Sequence, residues 1–193
     1  MNSNVKKALS FILVICISIS LGVVINEVWT FIERKTHPVS YDEIISKYSA
    51  EYGVPKYVIY ATINVESGFD PEAVSSAGAI GLMQMMPSTF EWLTDDEHLD
   101  EHLTYLSLTD PEVSIRYGTY YLAYLYRKFD YNWDTAFAAY NGGEGNVVKW
   151  LEDSKYSDGN GNLTKIPFKE TRSYVKKIND NIDIYIRLYP ELA

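Results

Sequence analysis

From Ala8 to Asn26 the chain carries no formal charge, and most positions are Leu, Ile, Val or Phe. A helix rising about 1.5 Å per residue over that run spans roughly 28 Å, close to the hydrocarbon thickness of a bilayer. Residues 8–32 are therefore predicted to form one transmembrane anchor, preceded by a cytoplasmic N-terminus at 1–7. Lys6 and Lys7 favour that orientation, with everything after the anchor outside. Trp29 and Phe31 follow the run, where an interfacial anchor would sit. Arg34 and Lys35 on the far flank weaken the asymmetry. A cleaved signal peptide is the rival reading, but the run exceeds a signal core of about 7–15 residues and no small-x-small site follows it. A buried helix of a soluble fold is a second rival. Leu13-Val14-Ile15-Cys16 resembles a lipidation site, but with a bulky Ile15 before the cysteine. Residues 33–39, with His37-Pro38, read as a linker.

Beyond the linker, residues 40–193 read as one all-helical domain. Ser40-Tyr-Asp-Glu43 has the form of a capping box. Ile44, Ile45, Tyr48 and Tyr52 follow at helical spacing, and Gly53 ends the run. Pro55 opens a helix through Val58, Ile59, Thr62, Ile63 and Glu66 that stops at Gly68. Ser75 to Gly81 is too small and flexible for a helix and reads as a shaped loop. A helix restarts near Pro87-Ser88, and residues 94–109 form an acidic, irregular connection. Asp110-Pro111-Glu112 is a helix start built of cap, proline and acid. Asn132 caps another helix, which ends at Asn141-Gly142-Gly143. A short helix holds Val147 and Trp150, and a last one runs from about Lys169 to Tyr189. A small hairpin around 156–166 is the one candidate for strand pairing.

Charge and cysteine content narrow the partners. The net charge is −9 over 193 residues. Segment 1–39 holds four Lys/Arg against two Asp/Glu, so the domain carries about −11. No nucleic-acid partner is expected, because a net acidic chain is a poor match for phosphates. An anionic polymer would have to be held by short-range contacts. The single cysteine, Cys16, lies in the apolar run, so the domain folds without cross-links.

Glu66 is the candidate for chemistry. It sits in the last turn of its helix, where the helix dipole disfavours a second negative charge. Thr62, Ile63 and Val65 surround it, and partial burial adds desolvation. Both effects raise a carboxyl pKa. A carboxyl that stays protonated near neutral pH can donate a proton to a glycosidic oxygen. Position alone favours a glutamate at a helix end that is solvated or bonded to a nearby backbone amide, as most glutamates are. Gly68, Gly78 and Gly81 nearby let backbone approach a ligand, and Gln84 and Ser75 add polar groups.

The stretch Glu66-Ser-Gly-Phe-Asp-Pro-Glu-Ala-Val-Ser-Ser-Ala-Gly-Ala-Ile-Gly-Leu-Met-Gln-Met-Met-Pro87 resembles the signature of the soluble-lytic-transglycosylase-like family. Three more blocks follow in that family's order: Asp110-Pro-Glu-Val-Ser-Ile-Arg-Tyr-Gly118, Ala138-Ala-Tyr-Asn-Gly-Gly-Glu-Gly145 and Glu170-Thr-Arg-Ser-Tyr-Val175. The resemblance covers about 55–180. It implies a lysozyme-like helical fold with a cleft between two lobes. It implies a peptidoglycan lyase, with no cofactor, that cuts the β-1,4 bond between N-acetylmuramic acid and N-acetylglucosamine and leaves a 1,6-anhydro end. Glu66 matches the one carboxyl that acts first as acid and then as base. Ser75 matches a residue contacting the N-acetyl region. Gln84 and Met86 match cleft-lining positions. Tyr140 and Asn141 match the pair facing the acid, with the Tyr140 phenol expected to orient its proton. Glu170 and Tyr174 would line the opposite wall. Gly142 stands where Ala is more usual, and Met85 where Leu or Ile is common.

Other signals are weaker. Asp70 fits a cap on the turn before Pro71 better than a second catalytic carboxylate. His98-Leu-Asp-Glu101-His102 has a zinc-protease spacing, but its flanks are acidic and no motif supplies a third ligand. Asp158-Gly-Asn-Gly-Asn162 hints at a calcium loop, but Lys169 stands where an EF-hand needs Glu. No metal is expected. Tyr120, Tyr121 and Tyr124 read as core residues on one helix face. Two rival functions remain: a hydrolytic muramidase on the same fold, and a non-catalytic wall-binding module. The expected partners are peptidoglycan strands, the membrane through the N-terminal helix, and a candidate wall-spanning assembly machine. The expected location is the cell membrane, single-pass, with the domain on the extracytoplasmic side.

Overall fold

The computed structural model describes residues 2–95, 99 and 103–192. The chain divides into two compact units, 1–38 and 39–193. The first is a single helix, α1 (Ser3–Thr36). It outruns the apolar segment that predicts it and absorbs most of the expected linker. Its apolar side chains from Phe11 to Ile32 stand exposed. Phe11–Thr36 is long and apolar enough to cross a membrane.

Every regular element described in the second unit is helical. Its elements are α2 (Asp42–Tyr52), α3 (Lys56–Glu66), α4 (Pro87–Asp95), a 3-10 turn at Tyr105–Thr109, α5 (Pro111–Lys128), α6 (Trp133–Gly142), α7 (Glu144–Glu152) and α8 (Lys169–Leu188). Among the described residues no strand forms, and the expected hairpin is reduced to one bridge between Ser157 and Leu163. The His98–His102 motif lies outside the described residues.

Local capping explains most of the boundaries. Asp110 Oδ1 accepts from the amides of Glu112 and Val113, at 2.8 and 3.3 Å, and so starts α5. Asn132 Oδ1 accepts from the Thr135 amide at 3.0 Å and starts α6. Each satisfies amides that the helix itself leaves unpaired. The capping box expected at Ser40 does not form. Tyr41 occupies the cap position in the left-handed region, at φ 61°, without a side-chain cap bond. What secures the start of α2 instead is Asp42, which accepts from Tyr60 at 2.7 Å and pairs with Lys56 at 2.5 Å, both on α3.

α3 packs along α8, α2 along α5, and α6 against α5, α7 and α8. Ile45, Ile59, Ile63, Ile115, Leu122, Phe137, Ile178 and Tyr185 are fully buried among these faces. Asn64 and Asn181 bond across the α3–α8 seam at 2.8 Å and fix its register.

Candidate active site

α3 ends on Glu66, and the chain then turns through Gly68 and Phe69, both at positive φ, into the loop that leads to α4. Hydrogen bonds within the segment hold that loop. Ser67 donates to the Leu82 carbonyl at 2.8 Å. Gln84 donates its amide to Ala73 and Gly81 oxygens, both at 3.0 Å. Ser75 Oγ accepts from the Ala79 amide at 2.9 Å. Asp70 caps its turn through the Glu72 amide, as its sequence context predicts. Tyr105, a residue no motif singles out, props the loop from outside by donating to the Gly78 and Met85 carbonyls. Ser75 and Gln84 thus each bond within the loop itself. Met86 stands exposed at its end.

A cavity of about 240 Å³ opens beside Glu66, walled by Val65, Asn141, Glu170, Ser173, Tyr174 and Lys177. The walls come from the ends of α3 and α6 and the first two turns of α8. Of the sequence-predicted residues, Glu66, Asn141, Glu170 and Tyr174 meet here. Ser173 and Lys177 were not singled out. Their signal was present, since 170, 173, 174 and 177 form one helical stripe.

The phenol that reaches Glu66 is Tyr174, donating to Oε1 at 2.6 Å. This differs from the expectation for Tyr140. The Tyr140 hydroxyl donates to the Met83 carbonyl at 2.7 Å. Tyr140 is still close enough to sense the acid, because the charge of Glu66, after burial, helps hold its hydroxyl protonated. Burial raises the Glu66 carboxyl to about 7, partly offset by the Tyr174 hydrogen bond. Desolvation penalises the anion more than one donor stabilises it. The carboxyl thus keeps a proton where an exposed glutamate would have lost it. Among the described residues no group of three or more His, Cys, Asp or Glu is placed to hold a metal.

A second cavity has a volume of about 290 Å³. Trp92, Tyr121, Tyr124, Ser88, Thr89 and Glu144 line it. Tyr121 is buried as expected, but Tyr124 is only half-buried and lines this space. The Tyr121 and Tyr140 rings are 5.4 Å apart.

Fold and site together define an all-helical domain built around one proton-holding carboxyl at a helix end. The transglycosylase SLT domain model matches residues 43–162, and the chain belongs to that family. The soluble lytic murein transglycosylase of Escherichia coli (strain K12) is 34% identical over 154 residues, which cover 79% of this chain and 24% of that protein. The membrane-bound lytic murein transglycosylase C of Edwardsiella ictaluri is 29% identical over 195 residues, covering 86% of this chain and 52% of that protein. The crystal structure of the 70 kDa soluble lytic transglycosylase from Escherichia coli has the same helical fold. Its TM-score is 0.73 at 33% identity, over 80% of this chain and 25% of that one. This chain spans about a quarter of the length of the Escherichia coli relative.

Proposed function

We propose that this chain is a peptidoglycan lytic transglycosylase that cuts between N-acetylmuramic acid and N-acetylglucosamine, with Glu66 as the sole proton-transfer group. The observation that carries the reading is a carboxyl held near pKa 7 at the mouth of a cavity, in a chain of the SLT family. Tyr174 engages Oε1, so Oε2 is the oxygen that carries the transferable proton. That proton passes to the glycosidic oxygen as the C1–O4 bond breaks. The N-acetyl carbonyl of the muramoyl unit supports the cationic C1. The Glu66 carboxylate then takes the proton of the C6 hydroxyl as O6 bonds to C1. The 1,6-anhydro ring closes, no water is consumed, and Glu66 is again protonated. Tyr140, Asn141, Glu170 and Met86 border the bound strand, while Ser75 and Gln84 shape the loop that carries Met86. α1 spans the membrane once and holds the domain on the extracytoplasmic side, with residues 1–7 inside and 40–193 as the catalytic domain.

One observation favours a second reading. Glu170 shares the cavity with Glu66, and a hydrolase acting through water needs a second carboxylate. Mass analysis of glycan ends after digestion of purified peptidoglycan separates the two. Anhydro ends support the lyase, and reducing ends support the hydrolase. Glu66→Gln is expected to lower the rate by about 10²–10⁴-fold. Full activity in that variant would refute the mechanism.

A further inference from the structure

Two lysines stand side by side on α8 with different surroundings. Lys176 is not among the residues that wall the cavity and pairs with Asp180 one turn on, at 2.6 Å. Lys177 lines the Glu66 cavity and makes no ion pair or side-chain hydrogen bond with any described residue. It is the only cation among the residues that wall that cavity. Asn181, the next residue on its stripe, is bonded to Asn64 on α3, so this face of α8 is held against the catalytic helix. Glu170 lies seven residues earlier on the same stripe, roughly 10 Å away along the axis. The lining of the cavity therefore holds one cation, Lys177, and two carboxyls, Glu66 and Glu170.

A glycan of N-acetylated sugars is neutral along its backbone. Its one acidic feature is the lactyl arm of muramic acid, whether as the arm's own carboxylate or as carboxylates of a peptide attached to it. The domain's net charge of about −11 repels such groups at a distance. A local cation at the site is then the natural receptor for them. We propose that Lys177 binds a carboxylate carried on the lactyl arm of muramic acid, making it a residue that selects muramyl strands over neutral N-acetylglucosamine polymers. The proposal rests on the peptidoglycan reading given above.

The test uses the full chain in detergent, with Glu66→Gln throughout so that ligands stay intact. Three sets of oligosaccharides of equal length are titrated: neutral chitin oligomers, peptide-free muramyl strands and peptide-bearing strands. Lys177→Gln is expected to lower the ratio of muramyl to chitin affinity about two- to fivefold at low salt, the range of one exposed ion pair. It should also flatten the salt dependence of muramyl binding. Lys177→Arg restores both, and Lys176→Gln changes neither. A loss confined to peptide-bearing strands assigns the carboxylate to the peptide. A loss that persists in peptide-free strands assigns it to the lactyl group. An unchanged ratio, or an equal loss on chitin, overturns the proposal. If the parent chain binds no muramyl strand and its Glu66 form releases no glycan fragments, the peptidoglycan reading itself has failed, and that outcome is distinct from an unchanged ratio.

Discussion

Two opposed influences set the proton on Glu66: burial favours the neutral acid, and the Tyr174 hydroxyl favours the anion. Removing that donor in Tyr174→Phe leaves burial unopposed and raises the carboxyl further. The alkaline limb of the rate profile, measured on soluble glycan, is expected to move to higher pH. The maximal rate should fall roughly tenfold, since a hydrogen bond to a charged group contributes about 1.5 kcal/mol or more. Glu66 also links stability to pH. Its unfolded carboxyl releases a proton near 4.5 and its folded carboxyl near 7, so the folded state binds more protons between those values. Stability from this group therefore falls as pH rises through that window and levels off above it. Thermal melts of Glu66→Gln should match the parent at pH 4 and exceed it at pH 8, by on the order of 2 kcal/mol. The sequence singled out Glu66, through helix position and motif, but not the phenol that donates to it. Tyr140 sits in the stronger motif, yet its hydroxyl is taken by the Met83 carbonyl. Which phenol reaches a carboxyl 108 positions away depends on how α8 lies on α3, and no local spacing encodes that.

At the scale of elements, the starts of α5 and α6 are legible because their signals are local. Asp110 and Asn132 bond to amides within three residues of themselves. α2 was misread at its first residue because Asp42 is held from α3, not by a neighbour in sequence. Gly118 shows how a motif glycine can serve packing. A Cβ at that position would stand 2.3 Å from Met83 Sδ and 2.6 Å from Met83 Cβ. α5 can lie this close to the loop only without a side chain there. Gly118→Ala is expected to destabilise the fold by about 1–3 kcal/mol in denaturant melts, the usual cost of overpacking. It should also lower activity, because Met83 supplies the carbonyl that holds Tyr140. Gly81 is constrained in the same way by the Leu108 carbonyl, only 2.1 Å from where its Cβ would fall.

For the whole molecule, the division at Pro38 separates a helix suited to hydrocarbon from a domain with its own core. Deleting residues 1–38 is expected to move the protein from the membrane to the soluble fraction of fractionated cells. The helical circular dichroism of the remaining domain should persist. A chain still found in the membrane fraction after that deletion would place the attachment elsewhere. The acidic stretch after α4 was assigned no role from sequence. Its described end at Leu103 borders a cavity with Tyr48, Asp110, Glu112, Val113 and Arg116.

The pairing of Glu66 with Tyr174 also has a consequence in time. The acid is made early in synthesis, and its donor 108 positions later. While the ribosome is still on α7, the nascent domain has the carboxyl but lacks the wall formed by Glu170, Ser173, Tyr174 and Lys177. Translation order thus acts as a timer. The cavity beside Glu66 does not exist until the last helix has emerged and folded back, so a prematurely terminated chain carries that carboxyl without the wall it faces.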